Sequence, residues 1–394
     1  MTGHLLGVAL PQTPRAGAPD VPQMLDSAIR GVIEPLAQQV DQNGSFPRDG
    51  VRALAECGAL GLLSGERHGG AGGDLRQAAS VVERLAGVCG STAMVLLMHY
   101  AAVAVIEAHG PAPVRREIAE GRHLSTLALS EKGSRSHFWA PVGTASPDGA
   151  DGALLNADKS WVTSAGEADS YVWSSRPLRA AGPMTLWLVP SDSAGLRVRG
   201  DYDGFGLRGN ASSPVGAKDV HVPRTARLSA DGEGLALALA EVLPRFLVLS
   251  AAFCMGVTEA LLGLTARHLR GTRLDHLGQT LAEQPVPRRE YAVLRLRADA
   301  ARAFLDDTLT ALETARPDAT LRVLQVKALA AETTADVADG AMRLCGGSAF
   351  RRELGVERRF RDALAARVMA PTTEALYDFC GRTALGLPLL EENR

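Results

Sequence analysis

The chain has 394 residues, enough to bury a large core and to form two or three domains. Its 42 basic and 44 acidic residues nearly cancel, so no field recruits nucleic acid or an anionic membrane. Hydrophobic residues make up 46% and charged residues 22%, the make-up of a soluble globular protein rather than a disordered or membrane-spanning one. Cys57, Cys89, Cys254, Cys345 and Cys380 form no C-x-x-C pair, which argues against a zinc site, any other metal site or a disulfide framework and for a reducing cytoplasm.

Residues 1–22 hold four prolines and no apolar run of signal-peptide length, and read as a flexible arm. From residue 23 to 122 the pattern is helical: Leu25, Ile29, Ile33 and Leu36 line one face. The glycine-rich loop Gly65–Gly73 does not follow a strand in a G-x-G-x-x-G arrangement, so it reads as structural. Val81–Ile106 is apolar nearly all round and predicts two buried helices. His99 lies inside it, either satisfied in the core or facing a cavity as a proton-handling group.

Near Leu124 the texture changes. Tyr171–Ser174, Thr185–Val189, Leu196–Val198 and Val215–Val222 are short β-type runs broken by Gly, Pro, Asp and Asn. Residues 123–230 therefore form a β domain. From 231 to 394 the pattern is helical again, with long candidates at Leu235–His268, Pro287–Ala315, Asp318–Arg343 and Glu374–Leu385, which suit a four-helix bundle. Pro244 implies a kink or a helix start. Glu241, Pro244 and Arg245 interrupt the best membrane-span candidate, so no stretch is expected to approach the length needed to span a bilayer. Gly346-Gly347 leave the backbone open to close approach, Pro371 ends a helix, and Thr372-Thr373 stand where N-cap residues belong.

Four segments, in order, resemble the acyl-CoA dehydrogenase family of flavoproteins over nearly the whole chain. Leu127–His137, LALSEKGSRSH, resembles the family's Thr-Glu-Pro-x-x-Gly-Ser-Asp segment, with Lys132 for its proline and His137 for its aspartate. Lys159–Ser164, KSWVTS, resembles Lys-x-Trp-Ile-Thr-Asn and is followed by Ala168-Asp169; the bland alternative is a strand with one core tryptophan. Gly206–Asn210 is similar to a Gly-x-Arg-Gly-Ser turn. Cys345–Glu374, with Gly346-Gly347, Arg361-Asp362 and Thr372, resembles the C-terminal signature.

The resemblance implies an α+β, mostly α architecture: an N-terminal helical domain, a middle β-barrel and a C-terminal four-helix bundle. It implies FAD as cofactor. By position, Leu127, Leu129, Ser130 and Ser136 line the flavin, Trp161 covers it and Thr163 meets N5. Arg343, Gly346, Gly347, Thr372 and Glu374 fall on further cofactor contacts, and Ser136 and Arg245 on substrate contacts. Arg273–Gln284 resembles a segment whose arginine and glutamine reach a neighbouring subunit's FAD, with its spacing shifted by one residue on each side of Gly278. A shared site implies a homodimer or homotetramer.

The family's two glutamate positions for the catalytic base fall on Ala370 and Pro244, neither of which takes a proton. Glu241, one turn before Arg245, and His99 are the candidate replacements, although Glu241 also suits a solvated helix face. Three readings follow. The favoured one is FAD-dependent α,β-desaturation of an acyl thioester, bound to CoA or a carrier protein, with electron-transfer flavoprotein as electron acceptor. The second is a flavin monooxygenase fed by a reductase. The third is a catalytically silent flavin-binding subunit.

Overall fold

The computed structural model describes residues 21–134, 137–149 and 152–390. The expected N-terminal arm lies outside them except for Val21 and Pro22, which open the first helix. Six helices come first: α1 (Val21–Ala28), α2 (Glu34–Asn43), α3 (Arg48–Glu56), α4 (Leu75–Ala86), α5 (Gly90–His109) and α6 (Ala112–Ala119). In the loop before α4, a Cβ on Gly70 would sit 2.2 Å from the Ser64 carbonyl oxygen. The glycines there permit close backbone packing.

Seven strands follow: β1 (Ser125–Ala128), β2 (Thr144–Asp148), β3 (Gly152–Val162), β4 (Ser170–Ser175), β5 (Thr185–Pro190), β6 (Leu196–Val198) and β7 (Ser213–Pro223). They make two sheets rather than one continuous ladder. In the first, ordered β1-β4-β5, β1 runs parallel to β4 and all but one residue is buried, as expected of strands covered on both faces. In the second, ordered β2-β3-β7-β6, Val220 and Val222 point inward and His221 outward, the alternation of a half-covered sheet.

The last part contains α7 (Gly234–Leu237), α8 (Leu243–Gly271), the small hairpin β8 (Arg273–Leu274) and β9 (Gln279–Thr280), α9 (Pro285–Glu313), α10 (Ala319–Cys345), α11 (Val356–Ala363), α12 (Ala365–Val368) and α13 (Thr373–Ala384). Pro244 starts no helix: α7, a π-helical turn at Ala238–Val242 and α8 form one continuous helical run, and the widened turn just before Pro244 accommodates its missing N–H. From α8, Glu259 grips Arg295 of α9 through two bonds of 2.8 and 2.7 Å, and the Cys254 carbonyl accepts from Thr334 of α10 at 3.1 Å. α10 also packs on α9 and α13. Leu376 and Phe379 of α13 are buried, but Leu385, read as part of the same apolar stripe, lies just past the helix end and is exposed.

By compactness the chain forms two units. Among the described residues, one unit takes those up to Val81, Ser91–Asp203 and Arg208–Phe246; the other takes Val82–Gly90, Gly204–Leu207 and those from Leu247 on. One expectation is corrected. Gly90–His109 and Gly234–Gly271 are each long and apolar enough to cross a membrane by length and composition, but 89% and 78% of their most apolar windows are buried inside the fold. Glu241, Pro244 and Arg245 fail to interrupt the second because the apolar run resumes directly after them.

Candidate functional site

Within the first unit, segments far apart in sequence lie side by side. The Ser160 N–H donates to the Ser130 carbonyl at 3.0 Å, and the Lys132 N–H to the Asp158 carbonyl at 3.1 Å. The Lys159 ammonium is fully buried and bonds Glu131, the Ser174 carbonyl (2.7 Å) and the Ser174 hydroxyl (2.8 Å), 5.1 Å from the centre of the Trp173 ring. Glu131 also accepts from the N–H groups of Val142 (2.5 Å) and Gly143 (2.7 Å). Burial lowers the Lys159 pKa to about 8, against the pull of Glu131, which raises it. Every donor of the ammonium is used, so this network holds the Ser130 and Trp161 segments in register.

β3 is irregular where it matters. A register shift between Lys159 and Val162 places Trp161 at φ 56° with its side chain 71% exposed. The core-tryptophan alternative is thereby excluded: the bulge turns the indole outward. Thr163 is 4% exposed and shares a hydrogen bond of 3.2 Å with Ser212, while Ser164 and Ala165 pair with the carbonyls of Asn210 and Ala211. Leu127 is buried, Leu129 and Ser130 are half-buried, and Ser136 lies outside the described residues.

The two candidate bases differ. His99 is completely buried; its Nε2 is 3.1 Å from the Leu60 carbonyl oxygen, and its Nδ1 accepts from the Ser125 N–H at 3.1 Å. That pattern fixes a neutral ring with the proton on Nε2, and burial lowers its pKa to about 4. Its neighbour Tyr100 donates to the Ala59 carbonyl at 2.7 Å. His99 therefore ties α5 to the Leu60 loop and β1, and the proton-handling role is withdrawn. Glu241 sits in the π-helical turn and accepts from Arg245 at 2.8 Å, with only 23% of its side chain exposed. It is held by an arginine rather than displayed on a solvated face.

In the second unit, Asp362 accepts from the Leu207 N–H at 2.7 Å and Arg361 donates to the Phe205 carbonyl at 3.1 Å. The Arg-Asp pair thus pins the Gly204–Leu207 loop. Gly346 has φ +55°, and a Cβ built on it or on Gly347 meets nothing within 4 Å. Arg343 is exposed and paired with Asp339 at 3.0 Å. Arg273 donates to the Gly278 carbonyl at 3.0 Å within the β8–β9 hairpin, and Gln284, at the start of α9, donates to the side chain of Gln279 in β9 at 2.6 Å. Thr372 caps α13, its hydroxyl accepting from the Ala375 N–H at 3.3 Å, and Glu374 is exposed in the first turn. Val368, Met369 and Ala370 carry no carboxylate.

Sequence reading missed Lys327, whose buried ammonium bonds three carbonyls beside Ala370. Its signal was the spacing Val323, Lys327, Ala330, Ala331 and Thr334, which puts a cation on the core face of α10.

Each unit, taken by itself, holds residues whose chemistry suits part of a flavin dinucleotide. A large indole left open at a strand end offers a flat apolar face, and side-chain-free backbone at Gly346-Gly347 admits close approach of a planar or charged group. Models of the acyl-CoA dehydrogenase N-terminal, middle and C-terminal domains match residues 20–121, 126–220 and 232–385. A probable acyl-CoA dehydrogenase of Bacillus subtilis is 26% identical over 369 residues, covering 90% of this chain and 94% of that one. The butyryl-CoA dehydrogenase of Megasphaera elsdenii superposes with a TM-score of 0.86 at 21% identity, over 94% of this chain and 100% of its own. A prolyl acyl carrier protein oxidase does so with a TM-score of 0.82 at 21% identity, over 94% and 100%. Matched through all three of its domains, the chain belongs to the acyl-CoA dehydrogenase family of FAD-dependent oxidoreductases that act on CH–CH bonds.

Proposed function

We propose that the protein desaturates an acyl thioester between its α and β carbons, with Glu241 as the base. The observation that carries this reading is the Glu241–Arg245 pair at the entrance to α8. Ala370 and Pro244 accept no proton, and both ring nitrogens of His99 are committed to the main chain. In this reading the Glu241 carboxylate removes the α-proton and holds it as the carboxylic acid, and Arg245 orients that carboxylate. Bound FAD supplies the two-electron acceptor for the β-hydride, so proton and hydride both have a destination.

The thioester is carried by CoA or by a carrier protein. The carrier alternative draws support from the prolyl carrier protein oxidase among the structural neighbours, and the CoA alternative from the family relatives. Electron-transfer flavoprotein is the proposed acceptor of the electrons. Arg273 and Gln284 are proposed to reach the FAD of a second copy in a homodimer or homotetramer. If they do, Arg273→Ala lowers FAD occupancy and the oligomeric mass together; a full flavin complement in that variant removes this assignment.

A second reading, oxygenation with reduced flavin from a reductase, is favoured by the side chains at positions 244 and 370, since it needs no α-proton base. Anaerobic absorbance with a panel of CoA and carrier-protein thioesters separates the two. Bleaching of the flavin by one member supports desaturation. A flavin that stays oxidised across the panel overturns it in favour of the oxygenase, and a protein that holds no FAD leaves a silent subunit.

A further inference from the structure

Only four of the 42 basic residues are lysines. Lys132 and Lys218 are exposed, whereas Lys159 and Lys327 are fully buried. Elsewhere the chain uses arginine, whose flat fork suits paired carboxylates, as in Arg295–Glu259 and Arg367–Glu332. A compact ammonium with three diverging donors suits three separate acceptors.

Lys327 has three such acceptors. From α10 its Nζ donates to the carbonyls of Ala366 (3.0 Å), Met369 (2.9 Å) and Pro371 (2.7 Å). These oxygens lie at the break between α12 and α13. A helix end leaves carbonyls without intrahelical donors, and Pro371 brings no N–H of its own. The ammonium supplies what the backbone lacks there. The next residue, Thr372, is the N-cap of α13, and Glu374 stands in its first turn.

We propose that Lys327 is the positioning residue of the turn that carries the family's base position. Its three bonds fix the backbone from Ala366 to Pro371, and so set where Ala370, the Thr372 hydroxyl and the first turn of α13 stand toward the cofactor. The assignment rests on the flavin site alone and holds for desaturation and oxygenation alike.

The test compares holoprotein carrying Lys327→Arg, which keeps the charge but not the compact ammonium, with Lys327→Met, which keeps length but not charge. FAD affinity is read by equilibrium dialysis, and amide exchange by mass spectrometry over 365–373 and over α9. Losing bonds from a buried cation predicts a loss of FAD affinity of about tenfold or more in both variants. Exchange should rise over 365–373 and stay unchanged in α9, with helicity retained. Wild-type FAD affinity in Lys327→Arg would overturn the proposal. So would a loss of helicity with raised exchange throughout α9, since Lys327 would then be a general core residue. If Lys327→Met does not fold, Lys327→Arg decides by the same criteria. Failure of every thioester to bleach the flavin would count against desaturation and leave the exchange and affinity readouts intact.

Discussion

Lys159 and Lys327 are buried to the same degree, and burial lowers both pKa values to about 8, yet the two regions neutralise them differently. In the β sheets Lys159 meets a carboxylate, Glu131, which is itself gripped by two backbone N–H groups. In the helical bundle the hydrogen-bond partners of Lys327 among the described residues are carbonyl dipoles. The first arrangement is a closed network whose parts fail together. The second is a clamp on one turn, and its loss strands dipoles rather than a full charge. A buried cation thus cross-links strands in one place and shapes a helix break in the other.

The largest effect should come from breaking the first region. Lys159→Met leaves the Glu131 charge buried and uncompensated, with an expected cost of about 3–5 kcal/mol in urea unfolding. Adding Glu131→Gln should recover part of that. Should Lys159→Met cost no more than Lys327→Met, the distinction between network and clamp is wrong.

A buried base satisfied wholly by main chain, His99, sharpens the contrast. Its folded pKa of about 4 lies below the usual 6.5, so between those values the unfolded chain binds more protons than the folded one. Its contribution to stability is complete above pH 6.5 and falls as pH drops toward 4, by about 3 kcal/mol. Urea midpoints at pH 7, 6, 5 and 4.5 should therefore fall more steeply in the parent than in His99→Gln. Parallel slopes would mean that His99 is not held neutral.

The smallest effect belongs to the turn itself. Thr372→Ala removes the cap of α13 and should cost about 1 kcal/mol in thermal unfolding. A loss several times larger would show that Thr372, rather than Lys327, organises the break.

Much of the fold was legible because its signals are local. The stripe of Leu25, Ile29 and Ile33, the apolar run of α5 and the Thr372 cap each report their own element. Strands β1 to β3 were harder: β1 is a four-residue buried run, and β3 carries two register shifts that spoil its alternation. The site was legible as motifs but not as contacts. Nothing in the spacing of Glu131 and Lys159 shows that they meet, because that depends on β3 folding back beside residues 130–132. His99 misled for the same reason. Its neutral state is set by the Leu60 carbonyl and the Ser125 N–H, groups that no side-chain pattern displays. Lys327 escaped notice because its partners are all backbone.

The most direct test of the account is Glu241→Gln in the anaerobic titration, with the thioester that bleaches the parent flavin. The variant should keep its FAD and lose bleaching rate by about 10²–10⁴-fold, the usual contribution of a positioned base. Bleaching at the parent rate would contradict the assignment and leave the α-proton to another group.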